Sequence, residues 1–388
     1  MTSSLAVTRA AAGSGLFRLD GDDRFALSSI DCGDGAAGRG FSMSARIPAI
    51  DVGALFGAAT ARRDAVDARI MAASAETGFF VATGFAPSMP LDAATRANLL
   101  RIFDLPESQI RLLWRRKFDA SRPNLYRGWF PAQGGFLTCK EGIDMGPDVA
   151  HGPAEVDPAD PLREPTPLPP DAALPGWRAT VAAYYSSMEE VSRALMRAIA
   201  RGLGLAENHF DAAFARGGLS TLRLIRYPVR TDAERVAAAE PGIWVDRGAE
   251  RWYVMGAPHV DTGFLTLLAQ DGVAGLQARH RDGNWLDVPP AEGSLAVNFG
   301  KVLERWTGGR IKATEHRVIG HGRERRSIPF FYEARADAQI APLPIAGAAS
   351  FEPFLFGDYL WETTTQFVEF KGMEHLRTPR REPVPRAP

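Results

Sequence analysis

The sequence has few cysteines, almost no net charge and no long apolar run, and each absence excludes a class of protein. Two cysteines, Cys32 and Cys139, are too few for a disulfide scaffold or a thiolate metal cage and fit a reducing environment. A net charge of −1 provides no electrostatic footprint for nucleic acid or for an anionic membrane. No apolar run approaches the roughly 18 residues that indicate a membrane span. We therefore expect a cytoplasmic globular protein that binds neither nucleic acid nor membrane.

The chain is long enough for one large domain, and its composition changes along its length. The start is rich in Ala, Gly and Ser without a targeting pattern, and Met43 has the character of a natural first residue. A segment with nine of the 28 prolines follows the first third of the chain and predicts an irregular surface connection. The predicted divisions are a poorly ordered extension (1–42), an N-terminal region (43–176, with its proline-rich loop at 147–176), a core with its supporting helix (177–345), and a C-terminal helix and tail (346–388).

Apolar periodicity predicts helices in the first half and strands in the second. Helical spacing is present over Ala61–Ala75, near Asp92–Phe103 and, most regularly, over Trp177–Gly202. From Ser220 onward, short β runs alternate with Gly and Asn turns. The aromatic segment Phe354–Phe370 predicts a last helix packed outside these strands. The expected fold is mainly β with flanking helices: a double-stranded β-helix, or jelly roll, with a helical N-terminal region and a C-terminal helix.

The stretch "APHVDTGFLTLLAQ" (Ala257–Gln270) reads as a buried strand that carries His259 and Asp261 near its start. Two positions apart in a strand, these side chains share one face. Because a buried carboxylate needs compensation, a metal ion is one interpretation, and two imidazoles with one carboxylate suit non-haem Fe(II). His316, 55 positions after Asp261 in another β run, is the best candidate for the second imidazole. The alternative is a plain His–Asp hydrogen bond at a strand rim.

The remaining histidines are weaker candidates for metal ligands. His151, His280, His321 and His375 lie in turn-like, charged or terminal segments and are expected to be solvated.

A second polar pair follows His316. In "RRSIPFF", Arg325 and Ser327 share a strand face, where they could bind the far carboxylate of a keto-diacid whose other end chelates the metal. The alternative is a solvated charge pair on a strand edge.

Several blocks of the sequence resemble one enzyme family in the family's own order. They are "LRLIRYP", "HVDTGFLTLLAQDGVAGLQ", "GNWLDVPP", "GSLAVNFGKVLERWTGG", "KATEHRVI" and "RRSIPFFYE". The region Thr221–Pro342 thereby resembles the catalytic half of the 2-oxoglutarate/Fe(II) dioxygenases of the isopenicillin N synthase-like family, and the likeness extends over roughly residues 46–370.

The resemblance implies roles for particular residues. It makes His259, Asp261 and His316 the iron ligands, and Arg325 and Ser327 the anchors for the distal carboxylate of 2-oxoglutarate. Tyr227 stands where the family often has a tyrosine that hydrogen-bonds the cosubstrate or substrate, with a core tyrosine as the alternative. Asn298 is expected to be a turn or structural residue. The usual aspartate after the "N-x-G" turn is replaced by Lys301, which puts a local hydrogen bond in doubt.

The implied activity is oxidation, by default hydroxylation, of an unactivated C–H bond of a small metabolite, of the kind found in secondary metabolism. Fe(II) is the cofactor, 2-oxoglutarate the cosubstrate and O₂ the oxidant, with succinate and CO₂ released. Two alternatives stay open: an oxidase of the same fold that uses no 2-oxoglutarate, as isopenicillin N synthase itself does, and a non-catalytic jelly-roll module that binds a metabolite.

Substrate contacts are expected at two places. Arg127 and Lys140 lie in the segment that lines the mouth in relatives, although solvated strand-edge charges are the alternative for these residues and Glu141. The segment between Pro228 and His259 is longer than the family pattern and carries Trp244 and Tyr253. It predicts a hairpin, either near the metal mouth or packed on the outside of the barrel.

Overall fold

Strands of the second half of the chain form two antiparallel layers, to which the first half adds a few strands and most of the helices. The computed structural model describes residues 46–380 apart from 217, 239 and 368. The predicted extension 1–42, the expected start at Met43 and Cys32 lie outside the described residues. The described residues cluster as one compact unit. The divisions at 176/177 and 345/346 stay predictions.

Two main sheets and one short ribbon contain the strands of the described residues. The larger sheet has the order β1-β2-β11-β8-β13-β5-β4-β3, the smaller has the order β10-β9-β12-β7-β6, and β14 pairs with β15. The strands are β1 (Ala49–Asp51), β2 (Phe79–Thr83), β3 (Gly128–Phe130), β4 (Glu141–Met145), β5 (Thr221–Tyr227), β6 (Trp244–Arg247), β7 (Glu250–His259), β8 (Leu265–Gln270), β9 (Leu276–Arg279), β10 (Trp285–Asp287), β11 (Leu295–Phe299), β12 (His316–Gly320), β13 (Arg325–Tyr332), β14 (Gln339–Ile340) and β15 (Phe354–Leu355).

The helices lie mostly before the jelly-roll strands. They are α1 (Ala61–Glu76), α2 (Ala93–Leu100), α3 (Glu107–Ile110), α4 (Asp148–His151), α5 (Trp177–Gly202), α6 (Ala233–Ala237), α7 (Lys301–Trp306) and α8 (Phe356–Thr364). Short 3-10 helices occur at Gly53–Phe56, Arg101–Asp104, Arg111–Leu113, Pro153–Glu155, Pro161–Arg163, Pro241–Ile243 and Glu374–Leu376. Within the described ranges, no helix has the length and apolar character needed to cross a membrane.

Period-two alternation gives each central strand two different faces. In β5, Leu222 and Leu224 belong to the larger apolar core, in which the apolar face of α5 also lies. Ile225 and Tyr227 point the other way and belong to a second apolar cluster that also takes residues from the smaller sheet. The second cluster therefore fills the space between the sheets, which is the interior of a jelly roll, and the expected fold class is confirmed.

The helix predictions hold best where the apolar stripe is long. α5 has the predicted bounds, and the indole of Trp177 at its start donates a 2.8 Å hydrogen bond to the carbonyl of Leu99 in α2. The predicted helix at Phe354–Phe370 is too long, because only Phe356–Thr364 is helical. Thr363 and Thr365 bond back to main-chain carbonyls with their hydroxyls, and such bonding by β-branched residues weakens further helix. The proline-rich segment is irregular except for α4 and two 3-10 turns.

Candidate active site

A cavity of about 370 Å³ opens between the two sheets. Alternate residues of β5 and β13 form one wall, because every second side chain of a strand faces the same side. From β5 these are Thr221, Arg223, Ile225 and Tyr227, and from β13 they are Arg325, Ser327, Pro329 and Phe331. The smaller sheet and the segment after α8 supply the other walls.

His259 and His316 are direct cross-strand partners in the smaller sheet. His259 is the last residue of β7 and His316 the first of β12, and their ring centroids lie 4.3 Å apart. Asp261 presents Oδ1 at 3.8 Å from Nε2 of His259 and 3.6 Å from Nε2 of His316. One ligand atom from each of the three residues lies within 4.8 Å of the others, so the sequence motif and the distant histidine do meet.

The spacing predicts that His259 and Asp261 belong to one strand, but in the structure Asp261 lies beyond the end of that strand. β7 ends at His259, and the chain then turns toward β8. The N-terminus of α7 donates hydrogen bonds to this turn. The backbone N–H of Lys301 donates to the carbonyl of Asp261 at 2.9 Å, and the backbone N–H of Val302 donates to the carbonyl of Thr262. The side chain of Lys301 is exposed. The main-chain hydrogen bond to Asp261 therefore does not depend on whether a lysine or the family's usual aspartate stands at this position.

The ring nitrogens of both histidines are oriented by main-chain carbonyls. Nδ1 of His259 lies 2.8 Å from the carbonyl of Ala257, and Nδ1 of His316 lies 3.1 Å from that of Thr314. A carbonyl only accepts, so Nδ1 carries the hydrogen and Nε2 keeps its lone pair toward Asp261. Burial, and next the electrostatic interaction with the neighbouring His316, lowers the pKa of His259 to about 4, so this imidazole is neutral at neutral pH, the form that binds a metal.

The carboxylate of Asp261 is held from behind by two side chains. Thr266 Oγ1 and the amide of Asn298 donate to Oδ2 at 2.6 and 2.7 Å, which leaves Oδ1 facing the histidines. Burial tends to raise the pKa of Asp261, but His316, His259 and these two donors lower it on balance. Asn298 lies inside β11 and not in a turn, so of the two expected roles the structural one describes it. Sequence reasoning missed Thr266, whose only signal was its place five residues after Asp261.

The pair Arg325 and Ser327 is buried, contrary to the strand-edge alternative. Arg325 is 1% exposed, and its Nη2 donates to Gln270 Oε1 at 3.0 Å. Its Nε and Nη1, and Oγ of Ser327, have no hydrogen-bond partner among the described residues. The guanidinium lies 5.3 Å from the ring centroid of Tyr227, its cross-strand partner. These unpartnered donors in a cavity wall fit an anionic group of a ligand.

The structure brings only one of the four expected substrate contacts to the cavity. Lys140 lines the cavity and pairs with Glu369 at 3.0 Å. Arg127 is fully buried behind the wall, where its guanidinium donates to Thr221 Oγ1 and to main-chain carbonyls of Leu219 and Leu162. It is therefore not a solvated charge.

The expected hairpin exists as β6 and β7, but its aromatic rings are not in the cavity wall. Trp244 packs on Tyr253 with ring centroids 6.5 Å apart, and Arg251 covers its ring. Tyr253 is buried, and its hydroxyl accepts a hydrogen bond from the backbone of Arg230. Tyr253 belongs to the apolar cluster between the sheets and Trp244 packs against it, so both rings lie in the barrel interior beyond the cavity, and neither expected position, at the metal mouth or on the outside of the barrel, describes them.

The other expected non-ligands are also away from the cavity. His151 pairs with Glu189, and His321 stacks on Trp252 at 5.7 Å. The side chain of His280, which pairs with Asp282, is only 9% exposed, so the expectation that it is solvated is wrong. His375 is exposed. Among the described residues, the cluster of His259, Asp261 and His316 is the one group of three suited to a metal ion.

Comparisons with known proteins agree with this geometry. The sequence pattern of the 2OG-Fe(II) oxygenase superfamily matches residues 221–334. A 2-oxoglutarate-Fe(II) type oxidoreductase from Aspergillus fumigatus is 31% identical over 302 residues, which are 75% of this chain and 82% of that protein. The chain belongs to the 2-oxoglutarate/Fe(II) oxygenase superfamily.

Two further relatives cover most of this oxygenase. Isopenicillin N synthase from Streptomyces clavuligerus is 29% identical over 323 residues, which are 82% of this chain and 94% of that enzyme. The crystal structure of a full-length Neurospora crassa protein, in complex with alpha-KG and 5-formyluracil, superposes with a TM-score of 0.67 at 26% identity, covering 83% of this chain and 96% of that one.

The superfamily membership decides between the functional alternatives at a coarse level. The chain is a 2-oxoglutarate-dependent dioxygenase, and its cofactors are Fe(II), 2-oxoglutarate and O₂. Relatives named for 2-oxoglutarate recur among the similar proteins, so the cosubstrate-free oxidase is not favoured. Matches to enzymes over most of the chain give no support to the non-catalytic binding module.

Proposed function

We propose that this enzyme hydroxylates an unactivated C–H bond of a small metabolite, with His259, Asp261 and His316 holding Fe(II). In this proposal Arg325 and Ser327 bind the distal carboxylate of 2-oxoglutarate. One molecule each of 2-oxoglutarate, O₂ and substrate gives succinate, CO₂ and the hydroxylated product. When bound, Fe(II) supplies the O₂ chemistry that couples decarboxylation of 2-oxoglutarate to oxidation of the substrate.

The observation that carries the proposal is the meeting of two unsatisfied groups in one cavity. A His–Asp–His cluster with Nε2 and Oδ1 atoms turned toward each other fits Fe(II), for which this ligand set leaves open positions. The unpartnered donors of Arg325 and Ser327 line the same cavity. A dicarboxylate that reaches both would satisfy them with charge-assisted hydrogen bonds.

The remaining chain residues have orienting and shielding roles in this proposal. Gln270 holds one edge of the Arg325 guanidinium, and Tyr227 covers its face, so its two free nitrogens are directed into the cavity. Asn298 and Thr266 fix Asp261 so that Oδ1 is presented to the metal. Apolar side chains such as Leu268 and Val318 line the space around these groups and exclude water.

The cavity size supports a small substrate. Its volume of about 370 Å³ has to hold 2-oxoglutarate as well. Lys140, whose ammonium is paired with Glu369 at one wall, is the one of the initial substrate-contact candidates retained in the proposal.

The test is succinate formation by protein purified without oxygen, supplied with Fe(II), ascorbate and 2-oxoglutarate, and then exposed to air with pools of small amines, acids and amino acids. We expect succinate from the wild type, none from His259→Ala, and a strongly raised requirement for 2-oxoglutarate in Arg325→Ala. His375→Ala, which removes an exposed histidine, is the matched control and should behave as wild type. Succinate formation that survives His259→Ala, or a wild type that binds no Fe(II), contradicts the proposal.

A further inference from the structure

Glu333 is a buried carboxylic acid that lines the cavity and has no part in the proposed chemistry. It follows Tyr332, the last residue of β13, and continues the alternation that places Arg325, Ser327 and Phe331 in the cavity wall. The residue is 7% exposed, and its Oε2 has no hydrogen-bond partner among the described residues. A buried oxygen without a hydrogen-bond donor is unfavourable, so a ligand that donates to Oε2 of Glu333 would bind favourably here.

Strand register places Glu333 at the opposite end of the cavity from the 2-oxoglutarate anchors. β8 pairs Gln270 with Ser327 and Leu265 with Tyr332. The turn that carries Asp261 precedes Leu265 and so lies toward the Glu333 end of β13, whereas Arg325 begins β13 at its other end. A molecule that contacts Glu333 is therefore a second ligand, bound at the opposite end of β13 from the dicarboxylate held by Arg325.

Gly263 allows the carboxyl group to lie against the turn after Asp261. A Cβ at Gly263 would stand 2.0 Å from Oε1 of Glu333, so any other residue there would displace the carboxyl group. The position is held at the main chain by the N–H of Glu333, which donates to Ser220 Oγ at 3.1 Å. Glu333 thus occupies a defined place close to the metal cluster. A bound substrate has to place its reacting C–H bond beside that cluster, so it comes within reach of Glu333.

The charges around Glu333 favour a cationic partner. Two ion pairs are already formed near this end, Lys140 with Glu369 at 3.0 Å and Arg223 with Asp144 at 2.7 Å, while the buried guanidinium of Arg127 donates to neutral oxygens of Thr221 and Leu219. Burial, and next the charge of Asp261, raises the pKa of Glu333, and Arg127 opposes the rise. A positively charged ligand would favour the ionised form of Glu333 and supply the donor that Oε2 lacks.

The rest of this end is mainly apolar. Phe264, Phe331, Leu360, Phe367 and Phe370 line it. We propose that the substrate is a small, otherwise largely apolar molecule with a basic nitrogen, an amine, guanidine or amidine, that donates to Glu333. This inference rests on the proposed function, since it places the substrate beside the metal cluster, and it makes Glu333 the residue that determines substrate class.

The test compares matched cationic and neutral compounds on the holoenzyme with Fe(II) and 2-oxoglutarate, without oxygen, by calorimetric titration. The pairs are hexylamine and hexanol, 2-phenylethylamine and 2-phenylethanol, benzamidine and benzamide, and hexylguanidine and hexylurea. We expect the cationic member of at least one pair to bind about tenfold or more tightly than its neutral partner. In Glu333→Gln this preference should fall below about threefold.

Two variants serve as controls. Glu362→Gln removes an exposed carboxylate of α8 that lies outside the cavity wall, and it should keep the cationic preference. Glu333→Asp keeps the charge on a shorter side chain and should retain a weakened preference; it replaces Glu333→Gln should that variant not fold. Thermal unfolding of each loaded variant reports whether it is folded.

The inference is overturned by three results: no cationic compound binds more tightly than its neutral partner, the preference survives Glu333→Gln, or the neutral amides bind more tightly. The last would mean that Glu333 is protonated and donates to a carbonyl oxygen. A wild type that makes succinate but shows no preference contradicts only this inference. A wild type that binds neither Fe(II) nor 2-oxoglutarate contradicts the proposed function instead.

Discussion

The side-chain amide of Asn298 donates a 2.7 Å hydrogen bond to Oδ2 of Asp261, the oxygen that faces away from the two histidines. Together with Thr266, it fixes which carboxylate oxygen is turned toward His259 and His316. Residues that orient a metal ligand in this way commonly change metal affinity by about 10–100-fold when removed.

We therefore expect Asn298→Leu to weaken Fe(II) binding by about 10-fold or more, because Asp261 can then rotate about its side-chain bonds. Competition with a chromophoric chelator measures the dissociation constant. Asn284→Leu, in an exposed turn between β9 and β10, is the matched control and should leave it unchanged. Equal Fe(II) affinities for wild type and Asn298→Leu would show that the hydrogen bond has no orienting role.

Ser327→Ala should weaken binding of 2-oxoglutarate by roughly tenfold without a change in Fe(II) affinity. A hydrogen bond to a charged group contributes about 1.5–3 kcal/mol, and the buried Oγ of Ser327 has no partner of its own in the described chain. Calorimetric titration of the metal-loaded protein gives the affinity. Ser294→Ala, in a turn before β11, is the control. If both variants bind 2-oxoglutarate alike, Ser327 does not contact the cosubstrate.

The ion pair of Lys140 and Glu369 should make the free energy of unfolding depend on pH in the acid range. Burial alone would raise the pKa of Glu369, but Lys140 and Arg223 lower it to about 2 from 4.5. A lowered pKa stabilises the fold above pH 4.5, and this stabilisation, on the order of 3 kcal/mol, is lost as pH falls toward 2.

We expect Glu369→Gln to be less stable than wild type at pH 6, and the difference in free energy of unfolding to shrink between pH 4.5 and 2. Denaturant unfolding at a series of pH values measures it. A difference that does not vary over this range would mean that the carboxylate of Glu369 has an ordinary pKa in the folded protein.

Asp144→Asn should destabilise the fold by about 3–5 kcal/mol. Asp144 is 1% exposed and lies between the guanidinium groups of Arg115 and Arg223, both of which donate to it. Loss of its charge leaves two buried cations close to each other. Asp171→Asn, in which an exposed carboxylate loses its pairing with Arg178, should cost under about 1 kcal/mol. Similar unfolding midpoints for both variants would contradict the account of the buried cluster.

Local periodicity was sufficient for elements whose pattern is long. The apolar stripe of α5 predicted both of its ends, because 26 residues of helix bury one continuous face. It failed for the last helix, where the aromatic residues beyond Thr364 pack without helical backbone. The pattern likewise predicted one strand for His259 and Asp261, whereas the strand ends at His259, and hydrogen bonds from α7, forty residues later, hold the turn at Asp261.

The sequence by itself determined the chemical types: two imidazoles and a carboxylate, an Arg–Ser pair on one strand face, and a jelly-roll succession of strands. These follow from side-chain chemistry and from a period of two, which are local properties. The tertiary structure decided which side chains meet. Cross-strand register made His316 the partner of His259 and brought Asn298 to Asp261. It also moved Arg127 and Tyr253 behind the wall and left Glu333 unpartnered inside it, because register and sheet packing depend on contacts between residues far apart in the chain.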